Sequence, residues 1–399
     1  MFIGEIDGRP IGGHRVVITG VGAVSACGSG ATALFEGLLS GSFTDDRSVP
    51  DFDPERYFGA KEVRRVDRFA QLTVAAAVEA FEDSGIEVDD PDRSGSIFGT
   101  GIGGMTTLTA QTAVLAEKGP KRVTPFLAPM MMPNAGGAQV AMRYGLRGPA
   151  ETITTACAAG THAIGYAAHL VASGRVSVAL TGGGESIFDP VAFAGFGNMT
   201  ALSSTGKSMP FDVARDGFVM AEGAGALVIE SLDHAVARGA RIYAEILGAA
   251  STADAFHITA PREDGSGARR CMELAIADAD LTIADVGHIN AHGTSTPLND
   301  LAESKAIVSL FGDDAPPVTS AKGVTGHSLG GAGALEAVAS VLTIDRGIIP
   351  PTIGLEHLDP AIKLDVVQGE PRKLEQAVVL SNSFGFGGHN GCLVIGRHL

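Results

Sequence analysis

One pattern runs twice through this chain: a short run rich in β-branched residues, a glycine turn, then a helical stretch. The first series opens with a strand at 15–20, stopped by Gly20, and continues with helices over 31–39 and 66–84. Gly85 stands just past the second of these, where a left-handed C-terminal residue belongs. A strand at 96–100 precedes the turn Gly101-Ile-Gly-Gly104, and 158–173 reads as an Ala-rich helix buried on all sides. Strands at 176–181, ending in three glycines, and at 224–230 complete the series, with a helix beginning at 233–238. The second series starts around 241–250 as a strand. It alternates helices at 267–278, 300–310 and 331–346 with strands at 286–290 and 318–320, and ends in strands near 377–380 and 391–396.

Such alternation implies an α/β protein whose sheets are covered by helices on both faces. No Pro- or Ser-rich linker separates the series, so two similar halves sharing one core are expected, divided as 1–250 and 251–399. Residues 1–14 read as an irregular arm and 42–60 as a surface loop. Glycine accounts for 54 of 399 residues without a collagen-like period, which assigns the excess to tight turns and close backbone approaches. Acidic residues number 45 and basic residues 29, a net charge of −16 that argues against broad nucleic-acid binding and against an anionic membrane surface. The four cysteines, Cys27, Cys157, Cys271 and Cys392, form no CxxC pair, so neither a zinc site nor a disulfide framework is indicated. The N-terminus has no signal-like apolar run, and no stretch reaches the ~18 apolar residues of a membrane span. A cytoplasmic setting is expected.

Four segments carry chemistry. Thr154-Thr-Ala-Cys157-Ala-Ala-Gly160 feeds a small-residue turn into the Ala-rich helix, placing Cys157 at a helix N-terminus. The positive end of a helix favours a thiolate there, although a buried inert cysteine is the ordinary alternative. Asn290-Ala-His292-Gly-Thr294-Ser-Thr296-Pro297 follows a strand, so His292 stands where α/β proteins gather their sites, or merely caps a turn. In Ser320-Ala-Lys322-Gly-Val-Thr-Gly326-His327-Ser-Leu-Gly330, glycines flank Lys322 and His327, but the phosphate-cradling GxxxxGK[ST] is absent. Glu336 follows on the next helix, as a site partner or a solvated residue. Asn382-Ser-Phe384-Gly-Phe386-Gly-Gly388-His389-Asn390 alternates aromatics with glycines, which a simple hairpin turn does not need, and suggests amide donors beneath an aromatic lid. Together the loops supply one thiol, two imidazoles and one ammonium, a constellation for acyl transfer.

TACAAG, NAHGTSTP, KGVTGHSLGGAG and NSFGFGGHN, in this order and over nearly the whole chain, resemble the β-ketoacyl-acyl-carrier-protein synthases, most closely the elongating type II enzymes. The resemblance implies the thiolase fold, five layers αβαβα built from two similar halves, usually as a homodimer. It implies 3-oxoacyl-[acyl-carrier-protein] synthase activity: decarboxylative Claisen condensation of a malonyl carrier with a cysteine-bound acyl chain in fatty acid elongation. No metal or cofactor is implied. Cys157 would be the nucleophile, His292 and His327 the paired imidazoles, and Lys322 the charge that orients them. Glu336 matches the family's glutamate after the second histidine. Thr294 and Thr296 match contacts to the pantetheine arm, and Ile102 a residue of the acyl tunnel. Phe386 matches a gate that shares an oxyanion hole with the Cys157 amide, and Phe384 its neighbouring aromatic.

The acyl carrier protein is acidic, so docking on this acidic chain needs a local basic patch. Lys61, Arg64, Arg65 and Arg68 form one cluster, and Lys121 with Arg122 a second. By resemblance Lys61, Arg64, Arg65, Lys121 and Arg122 hold docking positions; a solvated charge face is the plain alternative. Three features depart from the family. Segment 203–208 is short and lacks the usual arginine, His389 stands where many members have Thr, and Met130-Met-Met132 suggests flexible lining near a dimer or tunnel surface. Chain length stays open, and a ketosynthase of a dedicated polyketide or very-long-chain pathway is the alternative. A thiolase would want a second catalytic cysteine, for which Cys392 is misplaced. An initiating synthase would carry Asn at His327, and a non-catalytic chain-length subunit would lack Cys157. A cysteine hydrolase is the generic rival.

Overall fold

The computed structural model describes residues 5–6, 9–10 and 13–398, so most of the arm expected over 1–14 lies outside the described residues. The first half contributes β1 (Val16–Ser25), β2 (Ser94–Gly99), β3 (Ala150–Ile153), β4 (Val178–Glu185) and β5 (Gly223–Ser231). The second contributes β6 (Ala244–Ala253), β7 (His288–Asn290), β8 (Val318–Thr319), β9 (Val378–Gly385) and β10 (His389–Gly396). The strand order is β3-β2-β4-β5-β1 in one half and β8-β7-β9-β10-β6 in the other, the same permutation twice. The senses repeat as well: two parallel pairings, then two antiparallel ones. The halves meet where β1 pairs antiparallel with β6 through Val16–Ile246, Val17–Glu245 and Ile18–Ala244, which makes one continuous sheet. The expected division after residue 250 falls within β6.

Five helices build the layers: α1 (Arg68–Ser84), α2 (Ala159–Ala172), α3 (Ser266–Asp278), α4 (Pro297–Phe311) and α5 (Ala332–Arg346). α1 covers the outer face of the first half, against β1, β4 and β5. α3 covers β6 and β10 on the opposite outside, with α4 beside it. α2 and α5 pack on each other in the middle and touch strands of both halves, giving the order αβαβα. One buried cluster draws Ile164 and Leu227 from the first half together with Val338 and Leu393 from the second. α2 is not buried on every side, because Tyr166 and His169 face solvent.

The strands run further than their apolar runs suggest, since glycine does not stop them. β1 continues through Gly20 and Gly22, where an added Cβ would lie 2.1 Å from the carbonyl oxygens of Ala80 and Ala76. Those glycines exist so that α1 can lie directly on the strand. α1 starts at Arg68, two residues later than its periodicity suggests, because the Asp67 side chain accepts from the Phe69 amide and caps it. The NSFGFGGHN segment does form a hairpin: Gly385 pairs with His389 across a turn at 386–388. Gly387 and Gly388 hold φ of 85° and 72°, which explains their place in that turn.

Candidate active site

Cys157 lies in the 3-10 turn Ala156–Ala158, between β3 and α2. Ala156 holds a left-handed φ of 50°, a conformation costly for a residue with a Cβ and typical of functional turns. The thiol is 6% exposed. Burial pushes it up to about 11, against the pull of the Lys322 charge and of the Phe386 and Cys157 amides that point at the sulfur. These two amides are the pair expected for an oxyanion hole.

His327 brings Nε2 to 3.1 Å from Cys157 Sγ. Its backbone is fixed on both sides, donating to Val219 O at 2.8 Å and accepting from the Ala221 amide at 3.1 Å. His292 stands edge-on to it, with ring centroids 5.3 Å apart and an 81° angle between planes. Lys322, 1% exposed, donates to His292 O at 2.6 Å and to His292 Nδ1 at 3.3 Å, and pairs with Glu336 Oε1. An ammonium only donates, so Nδ1 of the neutral His292 ring is the acceptor and the ring proton sits on Nε2. Burial, then the Lys322 charge, holds both imidazoles well below their ordinary value, so both are neutral near pH 7. Glu336 is pushed by burial up to about 7 despite Lys322. Sγ and ring nitrogens of His292 and His327 lie within 4.8 Å of one another. A metal ion does not fit there, since a buried ammonium adjoins His292 and the ring proton occupies its Nε2.

A cavity of about 360 Å³ opens onto Cys157, lined by His292, Thr294, Thr296, His327, Phe384 and Phe386 among others. Lys322 and Glu336 stand behind the histidines. Ile102 is not in this lining; it lies 39% exposed at the surface. Lys61, Arg64, Arg65, Lys121 and Arg122 are all exposed. The Arg65 guanidinium rests 4.4 Å from the centre of the Phe126 ring, four residues beyond Arg122. Arg68 does not belong to that patch: it forms a bidentate pair with buried Glu222, at 3.0 and 2.6 Å. Segment 203–208 is organised by Asp216, which accepts from the Ser203 and Ser204 hydroxyls at 2.6 Å. Met132 is exposed and Met130 and Met131 half-buried, so the methionine run lies at the surface, while His389 is half-buried at the start of β10.

Sequence reasoning passed over two buried acids. Glu303 accepts from the His292 and Gly293 amides at 2.9 and 2.8 Å and so fixes the first histidine's loop. Its signal was legible: Asp300, Glu303, Ile307 and Phe311 share one buried helical face, where an acid needs partners. Glu185 closes β4 directly after three glycines.

A buried thiol beside two neutral imidazoles, on a fold of two equivalent αβ halves, defines an acyl-transfer enzyme of the thiolase type. Residues 40–235 match the family model "Beta-ketoacyl synthase, N-terminal domain" and 243–356 match "Beta-ketoacyl synthase, C-terminal domain". The chain belongs to the β-ketoacyl synthase family. It is 43% identical to a 3-oxoacyl-[acyl-carrier-protein] synthase 2 of Synechocystis sp., over 96% of this chain and 98% of the relative. Among solved structures, the ishigamide ketosynthase/chain length factor superposes with a TM-score of 0.91 at 37% identity, covering 97% of this chain and all of that one (100%). A type II polyketide acyl-carrier protein in complex with its ketosynthase bound to the hexaketide gives a TM-score of 0.87 at 30% identity, with 97% and 100% covered.

Proposed function

We propose that this protein is a 3-oxoacyl-[acyl-carrier-protein] synthase that elongates acyl chains by decarboxylative condensation. The observation that carries the reading is the 3.1 Å approach of His327 to Cys157, with the neutral His292 ring beside it. Cys157 sulfur attacks the acyl carrier thioester, the carbonyl oxygen is held by the Cys157 and Phe386 amides, and the thiol proton ends on the departing carrier sulfur. Malonyl carrier then enters past Thr294 and Thr296. Its thioester oxygen accepts from the two imidazole N–H groups while the bond to the carboxylate breaks and CO2 leaves. Such donors, preset in a dry site, stabilise the enolate by several kcal/mol (roughly 3 each). The enolate carbon attacks the acyl carbon, and expulsion of the Cys157 sulfur releases the 3-oxoacyl carrier. A hydrolase needs a single base; two neutral donors suit an enolate better.

Lys61, Arg64, Arg65, Lys121 and Arg122 form the carrier-docking face, in keeping with their exposure and with the contact of Arg65 with Phe126, four residues beyond Arg122. A homodimer is supported by the helix Met105–Lys118, which buries none of its residues in the protomer and exposes Leu108 and Leu115 near exposed Ile102 and Met132. The two halves work as nucleophile and donor units. The four cysteines are free, which fits a reducing cytoplasm. Among the described residues no helix is long and apolar enough to cross a membrane. A polyketide pathway is the second reading, favoured by the similarity to a ketosynthase solved with a type II polyketide acyl-carrier protein. Mass spectrometry of the protein after exposure to carrier-bound acyl groups of graded length tests both. Acylation confined to Cys157 is expected, and fatty chains should load in preference to polyketide-like ones; an unmodified Cys157 with every donor would overturn the reading.

A further inference from the structure

Glu185 has no part in the chemistry described above, yet it is fully buried at the end of β4. Its Oε1 accepts from the Thr100 hydroxyl at 2.9 Å and the Gly103 amide at 3.2 Å. Its Oε2 accepts from the amides of Gly101, Ile102 (3.2 Å) and Gly330 (3.3 Å). Four of these partners are amides that can only donate and the fifth is a hydroxyl able to donate, so they favour the ionised carboxylate against the burial that pushes Glu185 up to about 7. Successive amides around an anion form a nest, and the glycines are needed to build it: a Cβ on Gly101 would fall 2.7 Å from the carboxylate.

The elements joined are telling. The loop at 100–103 belongs to the first half and ends next to the turn that carries Cys157; the Gly101 Cβ position is 3.6 Å from Ala156 O. Gly330 belongs to the second half, three residues beyond His327. One carboxylate thus ties the backbone behind the nucleophile to the turn that follows its imidazole partner.

We propose that Glu185 is a positioning residue that sets the distance between Cys157 and His327 by bridging the two halves. It touches no substrate. The inference rests on the acyl-transfer reading only for its turnover measurements; alkylation of Cys157 by iodoacetamide probes the same geometry without any carrier.

The test uses Glu185→Gln, which puts an amide N–H against N–H donors, alongside Thr100→Val and Thr100→Ser in the full-length protein. Turnover per alkylatable Cys157 is expected to fall about 100-fold in Glu185→Gln with KM for malonyl carrier little changed, the cost of misplacing a reacting group by roughly 1 Å. The pH profile of Cys157 alkylation should move to lower pH, because a buried negative charge near the thiol is gone. Thr100→Val should lower turnover by a smaller factor and Thr100→Ser should restore it, a comparison that holds even where Glu185→Gln does not fold. Should both Thr100 variants match the wild type in turnover per site, or a folded Glu185→Gln keep the wild-type alkylation profile, Glu185 only stabilises the fold and the proposal is wrong. Loss of condensation with every carrier, wild type included, would instead count against the acyl-transfer reading.

Discussion

The two halves share a strand permutation, and the loop from the third strand to the central helix sits at the same topological position in each. In the first half that loop, between β3 and α2, is five residues (154–158) and delivers one sulfur. In the second, between β8 and α5, it is twelve residues (320–331) and delivers both Lys322 and His327. The short loop drives Cys157 straight onto a helix N-terminus through a strained Ala156. The long one has room for a one-turn helix, Lys322–Thr325, and reaches inward far enough to bury an ammonium. A duplicated scaffold therefore supplies symmetry of position, while loop length decides what chemistry each position holds. The loops after the second strands diverge in the same way, with Ile102 in one half and His292 in the other.

Four measurements would break or sharpen that contrast. If the first half supplies only the sulfur, Cys157→Ala abolishes condensation, by about 10⁴-fold or more. Cys157→Gln should still release CO2 from malonyl carrier, since the second half is intact. Adding His292→Ala should lower that release about 10³-fold; radiolabelled CO2 assays read both, and silence from Cys157→Gln would remove the enolate role from the imidazoles. If the second half is a preset charge network, Lys322→Ala strands Glu336 in the interior and destabilises the fold by about 3 kcal/mol. Lys322→Met with Glu336→Leu should recover most of the melting temperature but not the activity, and thermal denaturation distinguishes the two variants.

The third measurement concerns pH. Burial raises the Cys157 thiol from 9.0 to about 11, so its thiolate forms at higher pH than an ordinary cysteine's. Alkylation of the unacylated enzyme should keep accelerating past pH 9; a plateau near neutrality would show that the helix terminus outweighs burial. The smallest effect is expected at the docking face. Arg64→Glu with Arg65→Glu should raise KM for carrier-bound acyl groups roughly tenfold while leaving small thioester mimics unchanged. An equal change for both would move the docking face elsewhere.

Much of this was legible in the chain. The strand–glycine–helix rhythm pointed to an α/β protein of two halves because apolar periodicity and turn residues act locally, while the five-layer order came only with the family resemblance. The placing of Cys157 at the start of a helix, and of His292 and Lys322 just after strands, was readable from small-residue loops, whereas the strand before Cys157, β3, was not. What escaped was non-local. Gly20 read as a strand stop, yet it and Gly22 lie inside the strand and serve a helix some sixty residues away along the chain, at Ala80 and Ala76. Arg68 read as one of a run of surface bases, yet Glu222 takes it inward. Glu185 carried no local signal beyond three preceding glycines, since its partners lie on two other loops.

The sequence by itself determined which groups stand at strand ends and which segments are helical, because backbone geometry and hydrophobic spacing are properties of a few neighbouring residues. Only the tertiary structure decided that a sulfur and an imidazole 170 positions apart would come within 3.1 Å. It alone also decided that these groups would share a buried pocket where desolvation keeps both rings neutral and the thiol protonated. Burial and Coulomb interactions depend on distance through space, and the chain acquires those distances only when its two halves close on one core.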